Sequence, residues 1–599
     1  MTLLLKDIIS NFHFIVKWFF EIDSQEYLVK ISGECVKVSS SPVTAERRQL
    51  VRRLIPSAWT ILVIAIAFLI STPIISVLSN IFADSGEVWK HLAETVLWTY
   101  ITNSFWLMIG VGCGVLLIGV GTAWLVTLCR FPMRRIFEWA LLLPLAAPAY
   151  ILAYTYTEFL DFSGPVQTIL RSVFGWGYGE YWFPNVRSLW GAIVMLTLVL
   201  YPYVYLLARV AFLEQSVCTL EASRTLGCGP WRSFFKVALP LARPAIIAGL
   251  ALALMETLND FGTVQFFGVD TFTTGIYRTW FGMGERVAAT QLSAFLLLFI
   301  LWLILLERWS RRQSRYYQSA TTQRQLPSYQ LRGIRAIGAW IACFLPIGLG
   351  FLLPAVVLLD MTLKNLSESL DNRFWDFAKN SLILAVITAV LAVVIAVVIA
   401  YGLRLRSNIG MQLSARIASM GYAVPGSVIA VGILVPVGKL DNAIDAWMRT
   451  TFGISTGLLL SGTITALVFG YLVRFLAVSF STVEASLGRI KPSLDDAARS
   501  LGLNPTSTLV RVHTPMMWGS LLTAGMLVFV DVMKELPATL IIRPFNFDTL
   551  AVRVYNLASD ERLAEAAGSA LAIVVVGIVP VILLSMRISK SRESQTDNY

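Results

Sequence analysis

The sequence predicts an all-α polytopic membrane protein with about 12 transmembrane helices in two homologous six-helix halves. Three observations carry that expectation. Of the 599 residues, 56% are hydrophobic and 14% are charged, against about 25% charged in a soluble globular chain. Mean hydropathy is +0.69, and apolar runs of the roughly 20 residues that a bilayer crossing needs recur along most of the chain. A polar, basic island, Glu221–Pro240 (EASRTLGCGPWRSFFKVALP), returns 275 residues later as Asp496–Pro515 (DAARSLGLNPTSTLVRVHTP).

Residues 1–55 read as a cytoplasmic preamble. Its apolar run Phe12–Phe20 is broken by His13 and Lys17; it is too short to span and is not a signal-peptide core. Spans are expected near 58–80, 103–127, 137–157, 188–212, 244–267, 288–306, 337–360, 380–402, 414–437, 457–480, 518–541 and 567–586. The fifth and eleventh carry acids near their distal ends.

Basic residues set the orientation. With the N-terminus in the cytoplasm, Arg130, Arg134, Arg135, both islands, 308–335, Arg404, Arg406, Arg416, Arg587, Lys590 and Arg592 all face inward. The opposite loops are mixed or acidic, with Asp84, Glu87, Glu158, Asp161, Glu368, Asp371, Asp376, Asp560, Glu561 and Glu565. An even span count returns the C-terminus to the cytoplasm. Much of the net charge of +11 is then inside-positive bias rather than a nucleic-acid surface. Residues 308–335 hold seven Arg and no acid, and read as a membrane-facing cytoplasmic linker between the halves.

Each island has a physical reading. An acid, a small residue and an Arg suit the first turn of a short helix. Gly227 or Gly502 permits a positive φ or a close approach. An amphipathic run resumes the helix, and Pro240 or Pro515 ends it or starts the next element. The expected shape is helix, bend, helix on a membrane surface, and its return with unbroken spacing argues against an ordinary loop. The repeat is wider than the islands. Asn103-Ser104 matches Asn380-Ser381 and Pro148 matches Pro425, both 277 apart; Phe272, Thr274 and Arg278 match Phe547, Thr549 and Arg553, 275 apart. Gly110 and Gly114, inside an apolar span, suit close helix packing rather than a nucleotide loop.

Several functions are excluded or left without support. The six Cys form no CxxC pair, the three His are far apart, and no GxxxxGK[ST] loop occurs. Neither a structural zinc site nor nucleotide hydrolysis by this chain is expected.

The islands resemble the EAA loop of permeases in binding-protein-dependent ABC importers: Glu-Ala-Ala, three residues, Gly, nine residues, an aliphatic residue, one residue, Leu-Pro. The first copy fits at Glu221, Ala222, Gly227, Val237, Leu239 and Pro240, with Ser223 for the second Ala. The second fits at Ala497, Ala498, Gly502, Val512 and Pro515, with Asp496 for Glu and Thr514 for Leu. The stretches 256–280 and 531–555 add a resemblance to fused ferric-iron permeases.

The resemblance implies a type I ABC importer permease in the bacterial inner membrane. It implies a first half at 56–307, the linker at 308–335, a second half at 336–588 and a cytoplasmic tail at 589–599. The islands become coupling helices (Glu221, Ala222, Gly227, Pro240; Asp496, Ala497, Gly502, Pro515) that dock two cytoplasmic ATPase subunits. A periplasmic binding protein delivers the solute. No cofactor is expected on this chain, ATP being used by the partners.

Candidate pathway residues are the intramembrane carboxylates. Glu256 and Asp260 lie four apart, and Asp531 and Glu535 repeat them in the other half. Ionisable groups inside spans are costly and default to function, and oxygen ligands suit a hard cation such as Fe(III). The competing expectation is that they pair structurally, with Lys534 one available partner. Arg209 and Arg474 are expected to snorkel, the Tyr154, Tyr156 and Tyr201–Tyr205 group to anchor at the interface, and His513 to pack or dock. Sulfate, molybdate, thiamine or polyamine are alternative cargoes. An ion-coupled secondary transporter would fit the acids and the repeat but not the islands; a membrane enzyme would need a catalytic constellation that the sequence lacks.

Overall fold

The computed structural model describes residues 58–599 apart from 85, 178–179, 216–224, 227–228, 313–328, 407 and 597–599. Among the described residues eleven helices are long and apolar enough to cross a membrane, or twelve if one bent pair counts as a single span. The preamble, most of the linker and the island residues Glu221, Ala222 and Gly227 lie outside the described residues.

The helices repeat in order. Leu97–Leu128 corresponds to Asn372–Leu405, Leu189–Glu214 to Ile464–Gly488, Leu239–Asn259 to Thr514–Met533, and Arg286–Arg312 to Leu563–Thr596. The sequence-matched asparagines perform the same task. Asn103 Nδ2 donates to the Asp270 carbonyl at 2.9 Å, and Asn380 Nδ2 to the Asp548 carbonyl at 3.1 Å. Gly110 and Gly114 face Ile193 and Thr197, so their missing Cβ atoms let Leu97–Leu128 and Leu189–Glu214 approach closely.

Four expected spans, at 137–157, 244–267, 414–437 and 518–541, are not single helices. The run at 137–157 breaks into Arg134–Ala140, a tight turn Leu143–Ala146 and Ala149–Leu160, with an 89° bend. The run at 414–437 breaks in the same way, into Ile409–Ala418 and Gly426–Phe452. Pro148 and Pro425 explain these two breaks. Each sits in extended backbone directly ahead of the second helix, where its missing N–H costs nothing.

Pro240 and Pro515 do not end their helices, contrary to one of the two expectations. In both copies the helix runs on through a π-helical turn, Phe234–Ala238 and Leu509–His513, and the proline follows two residues later. A third such turn, Gly348–Leu352, precedes Pro354. The wider i→i+5 register removes the bond to the carbonyl that a proline ring would obstruct.

The two sets of helices interlock. Ala58–Ser79, the first helix among the described residues, packs on Ile409–Ala418 and Gly426–Phe452 of the second set, and Arg286–Arg312 also meets Gly426–Phe452. Reciprocally, Leu563–Thr596 packs on Leu143–Ala146, and Leu353–Lys364 on Ala149–Leu160. Gly432 against the Pro73 carbonyl and Gly577 against the Ala146 carbonyl mark contacts too tight for a Cβ.

Candidate functional site

The four predicted carboxylates meet in one place. Glu256, Asp260, Asp531 and Glu535 all line a cavity of about 130 Å³ between the two sets, together with Arg474, Lys534, Asn259, Tyr150, Tyr203 and Tyr422. Four acids against two bases give the lining a formal charge of −2.

The carboxylates do different work. Leu239–Asn259 and Thr514–Met533 each end beside the cavity, and a short helix follows, Gly262–Phe266 or Pro537–Ile542. Asp260 and Glu535 cap these short helices. Asp260 accepts from the backbone N–H of Thr263 and Val264, each at 3.1 Å, and from Thr263 Oγ1 at 3.0 Å. Glu535 accepts from the N–H of Ala538 and Thr539, each at 3.1 Å, and from Thr539 Oγ1 at 2.8 Å. A carboxylate at a helix N-terminus satisfies orphan donors and meets the positive end of the dipole.

Glu535 is also ion-paired, with Arg474 Nη1 at 2.7 Å, and its side chain is only 1% exposed. Asp531 pairs with Lys534 at 3.0 Å, one turn along the same chain segment. Glu256 is the least committed. It accepts a long 3.4 Å bond from Asn259 Nδ2 and stands 4.0 Å from Arg474 Nη2. Among the described residues no three His, Cys, Asp or Glu are gathered so as to hold a metal ion. The acids therefore form a charged lining rather than a cage.

Sequence reasoning misjudged several neighbours. Arg474 does not snorkel; it lies buried in the middle of Ile464–Gly488, bridging Glu535 and Glu256. Arg209 is buried too, 3.0 Å from Glu138. Tyr154, Tyr201 and Tyr205 are interior rather than interfacial, and Tyr203 lines the cavity and hydrogen-bonds Tyr422 of the second set. One signal was available for Arg474: 275 residues earlier the repeat has Val199, so the charge is an addition to an apolar position. The two sets are joined here as well, since Asn259 Oδ1 accepts from the Gly426 N–H at 2.8 Å.

The second island has the expected shape. Ser493–Ser500 is a short helix with Asp495 and Asp496 in its first turn; Gly502 turns the chain at φ +80°; Asn504 caps the helical turn Pro505–Thr508. Asp496, Ala497, Gly502 and Pro515 are exposed, as are Leu501 at 80% and its first-island counterpart Leu226 at 83%. Pro240 is exposed as well. His513 is fully buried, with Nε2 2.7 Å from Asp495 Oδ1.

Comparison with known proteins follows the same lines. Residues 115–315 match the family described as binding-protein-dependent transport system inner membrane component. The Fe(3+)-transport system permease protein FbpB 2 of Haemophilus influenzae is 26% identical over 81% of this chain and 89% of its own. The ferric transport system permease protein FbpB of Actinobacillus pleuropneumoniae is 24% identical over 90% of this chain and 79% of its own. The molybdenum transport system permease protein ModB of Escherichia coli is 29% identical, but 86% of its length covers just 33% of this chain. The chain is a predominantly helical, multi-pass membrane permease of fused, double-length form, whose residues 115–315 match a binding-protein-dependent transport component and which resembles ferric transport permeases over most of its length.

Proposed function

We propose that this chain is the translocation subunit of an ATP-driven importer for ferric iron. A periplasmic binding protein presents the cation, and two cytoplasmic ATPase subunits dock the islands at Glu221, Ala222, Gly227 and Pro240 and at Asp496, Ala497, Gly502 and Pro515. Both termini are cytoplasmic. The functional halves are 56–307 and 336–588, joined by the 308–335 linker, with a preamble at 1–55 and a tail at 589–599.

The cavity is the observation that carries the cargo assignment. Its formal −2 lining favours a cation over the anionic alternatives sulfate and molybdate, because both of its bases already face carboxylates. Glu256 and Asp531 contact the cation in passing, while Asp260 and Glu535 hold the walls. A lining without a cage suits a path that must release what it accepts.

Alternating access needs contacts that differ between two states, because a partner that binds both equally shifts nothing. The cross-set contacts Asn259–Gly426 and Glu256–Arg474 lie at the cavity and are the ones to break. Exposed Leu226 and Leu501 support docking over an ion-coupled transporter, which has no subunit to cover them.

The test is uptake into proteoliposomes holding this chain with its ATPase and binding protein, offered labelled ferric ion, sulfate, thiamine or a polyamine with and without ATP. ATP-dependent accumulation of iron alone is expected. Accumulation of another solute overturns the cargo, and uptake driven by an ion gradient without ATP overturns the mechanism.

A further inference from the structure

The second island is fastened to its own set of helices by a cluster of directional bonds. At the end of Asn372–Leu405, Arg404 reaches four acceptor contacts. Its Nε and Nη2 bond Asp495 Oδ2 at 2.9 and 2.6 Å, Nη1 donates to the Leu487 carbonyl at 2.6 Å, and Nη2 also donates to the Ile490 carbonyl at 2.8 Å. The other Asp495 oxygen meets buried His513 at 2.7 Å. One turn before Arg404, Tyr401 donates to the Pro505 carbonyl at 2.8 Å. The end of one helix thus grips the second island on both sides of Gly502, and grips the end of Ile464–Gly488 as well. Burial pushes the Asp495 carboxyl up, yet Arg404 and His513 hold it below the usual carboxylate range.

At the matching positions the first set has Trp124 and Thr127 for Tyr401 and Arg404, and Leu220 and Ala238 for Asp495 and His513. Trp124 instead packs on Phe212 and Phe234, with ring centres 5.7 and 4.7 Å away. The ion pairs of that region, Arg134–Glu138–Arg209, join Arg134–Ala140 to Leu189–Glu214 instead. Charge-assisted bonds from a guanidinium fork fix both distance and angle.

We propose that Arg404, Asp495 and His513 are positioning residues that make the second island one rigid lever with Asn372–Leu405 and Ile464–Gly488. Ile464–Gly488 carries Arg474 into the central cavity, so a push on the second island reaches Glu535 and Glu256 through a stiff path. This assignment rests on the reading that the islands dock ATPase subunits.

Two measurements on the full chain test it. The first is amide hydrogen exchange of the purified chain in detergent. In Asp495→Asn and in Arg404→Lys, exchange across 493–503 should rise about tenfold, the loss of one charged hydrogen bond, with 230–238 unchanged. The second is ATP hydrolysed per solute imported by the reconstituted complex. That ratio should rise at least about fivefold with the KM for binding-protein-bound solute unchanged, and Asp495→Glu should recover most of the coupling. Asp445→Asn, which unpins the 455–457 loop on the opposite face, is the structural control and should leave the ratio unchanged. Unaltered exchange in 493–503 overturns the lock. Raised exchange with an unaltered ratio, or an equal effect from Asp445→Asn, overturns the positioning role. If the parental chain binds no ATPase, the docking reading fails and takes the coupling role with it, while the exchange data still decide whether the lock exists.

Discussion

Replacing Arg474 by Gln strands a buried charge, and its cost follows from the geometry. Arg474 is 8% exposed and Glu535 1%, at 2.7 Å. Removing one partner of such a pair typically costs about 3–5 kcal/mol, because the remaining ion is left uncompensated. Glu535 keeps its three donors from Ala538 and Thr539, and hydrogen bonds to the ionised form offset part of that penalty. The expected loss is therefore at the low end, about 3 kcal/mol. Unfolding by SDS in mixed micelles, followed by tryptophan fluorescence, reads it. The decisive variant is the double one. Arg474→Gln with Glu535→Gln carries no stranded charge, so it should be more stable than Arg474→Gln alone, with a coupling energy of about 2 kcal/mol. Additive losses, or an Arg474→Gln protein as stable as the parent, would refute the buried-pair account of the cavity wall.

Other expectations concern function and pH. Glu256→Gln takes the cavity from −2 to −1 without breaking a cap or a close pair, so iron uptake should fall about tenfold or more with little change in unfolding; unchanged uptake would remove Glu256 from the path. Leu226→Asp and Leu501→Asp should each weaken ATPase association about tenfold to a hundredfold in a pull-down titration, and full retention would mean that the exposed leucines face something else. Asp371 caps Asn372–Leu405 through the Phe374 N–H and pairs with Arg553 at 2.6 Å. Burial pushes its carboxyl up, but Arg553, the Phe374 N–H and the nearby Arg373 charge outweigh that and hold it below the ordinary value. A depressed folded value contributes stability above the unfolded pKa and loses it as pH falls through the folded one. The stabilities of the parent and of Asp371→Asn should therefore differ at neutral pH and converge below about pH 4; a gap of constant size would contradict the sign.

Much of this was readable in the chain because duplication supplied an internal control. Asn103 and Asn380 could be paired by spacing alone, and they make the same bond to the chain near a matching loop. The four acids could be brought to one place by combining i,i+4 spacing with the repeat. The bends were not legible, since hydropathy scores 137–157 as it would a straight span, and the information sits in where each proline falls relative to a helix start. The direction in which Arg474 points was hard to read for a different reason. An Arg in an apolar helix looks alike in sequence whether it reaches out to headgroups or inward, and its partner Glu535 lies 61 residues further on. The π-helical turns ahead of Pro240, Pro354 and Pro515 are a pattern that three occurrences make visible only once the backbone is known.

The interlocking of the two sets bears on how the protein is made. Ala58–Ser79 finds its packing partner in Gly426–Phe452, and at about 5–20 residues per second the ribosome needs on the order of 20–70 s to travel from one to the other. For that interval Ala58–Ser79 lacks its main packing partner. Its composition matches that wait. It contains no charged residue, and even in the finished fold only 28% of its most apolar stretch is buried against protein. The helix that closes the assembly is one that can stand alone in the bilayer until the rest of the chain arrives.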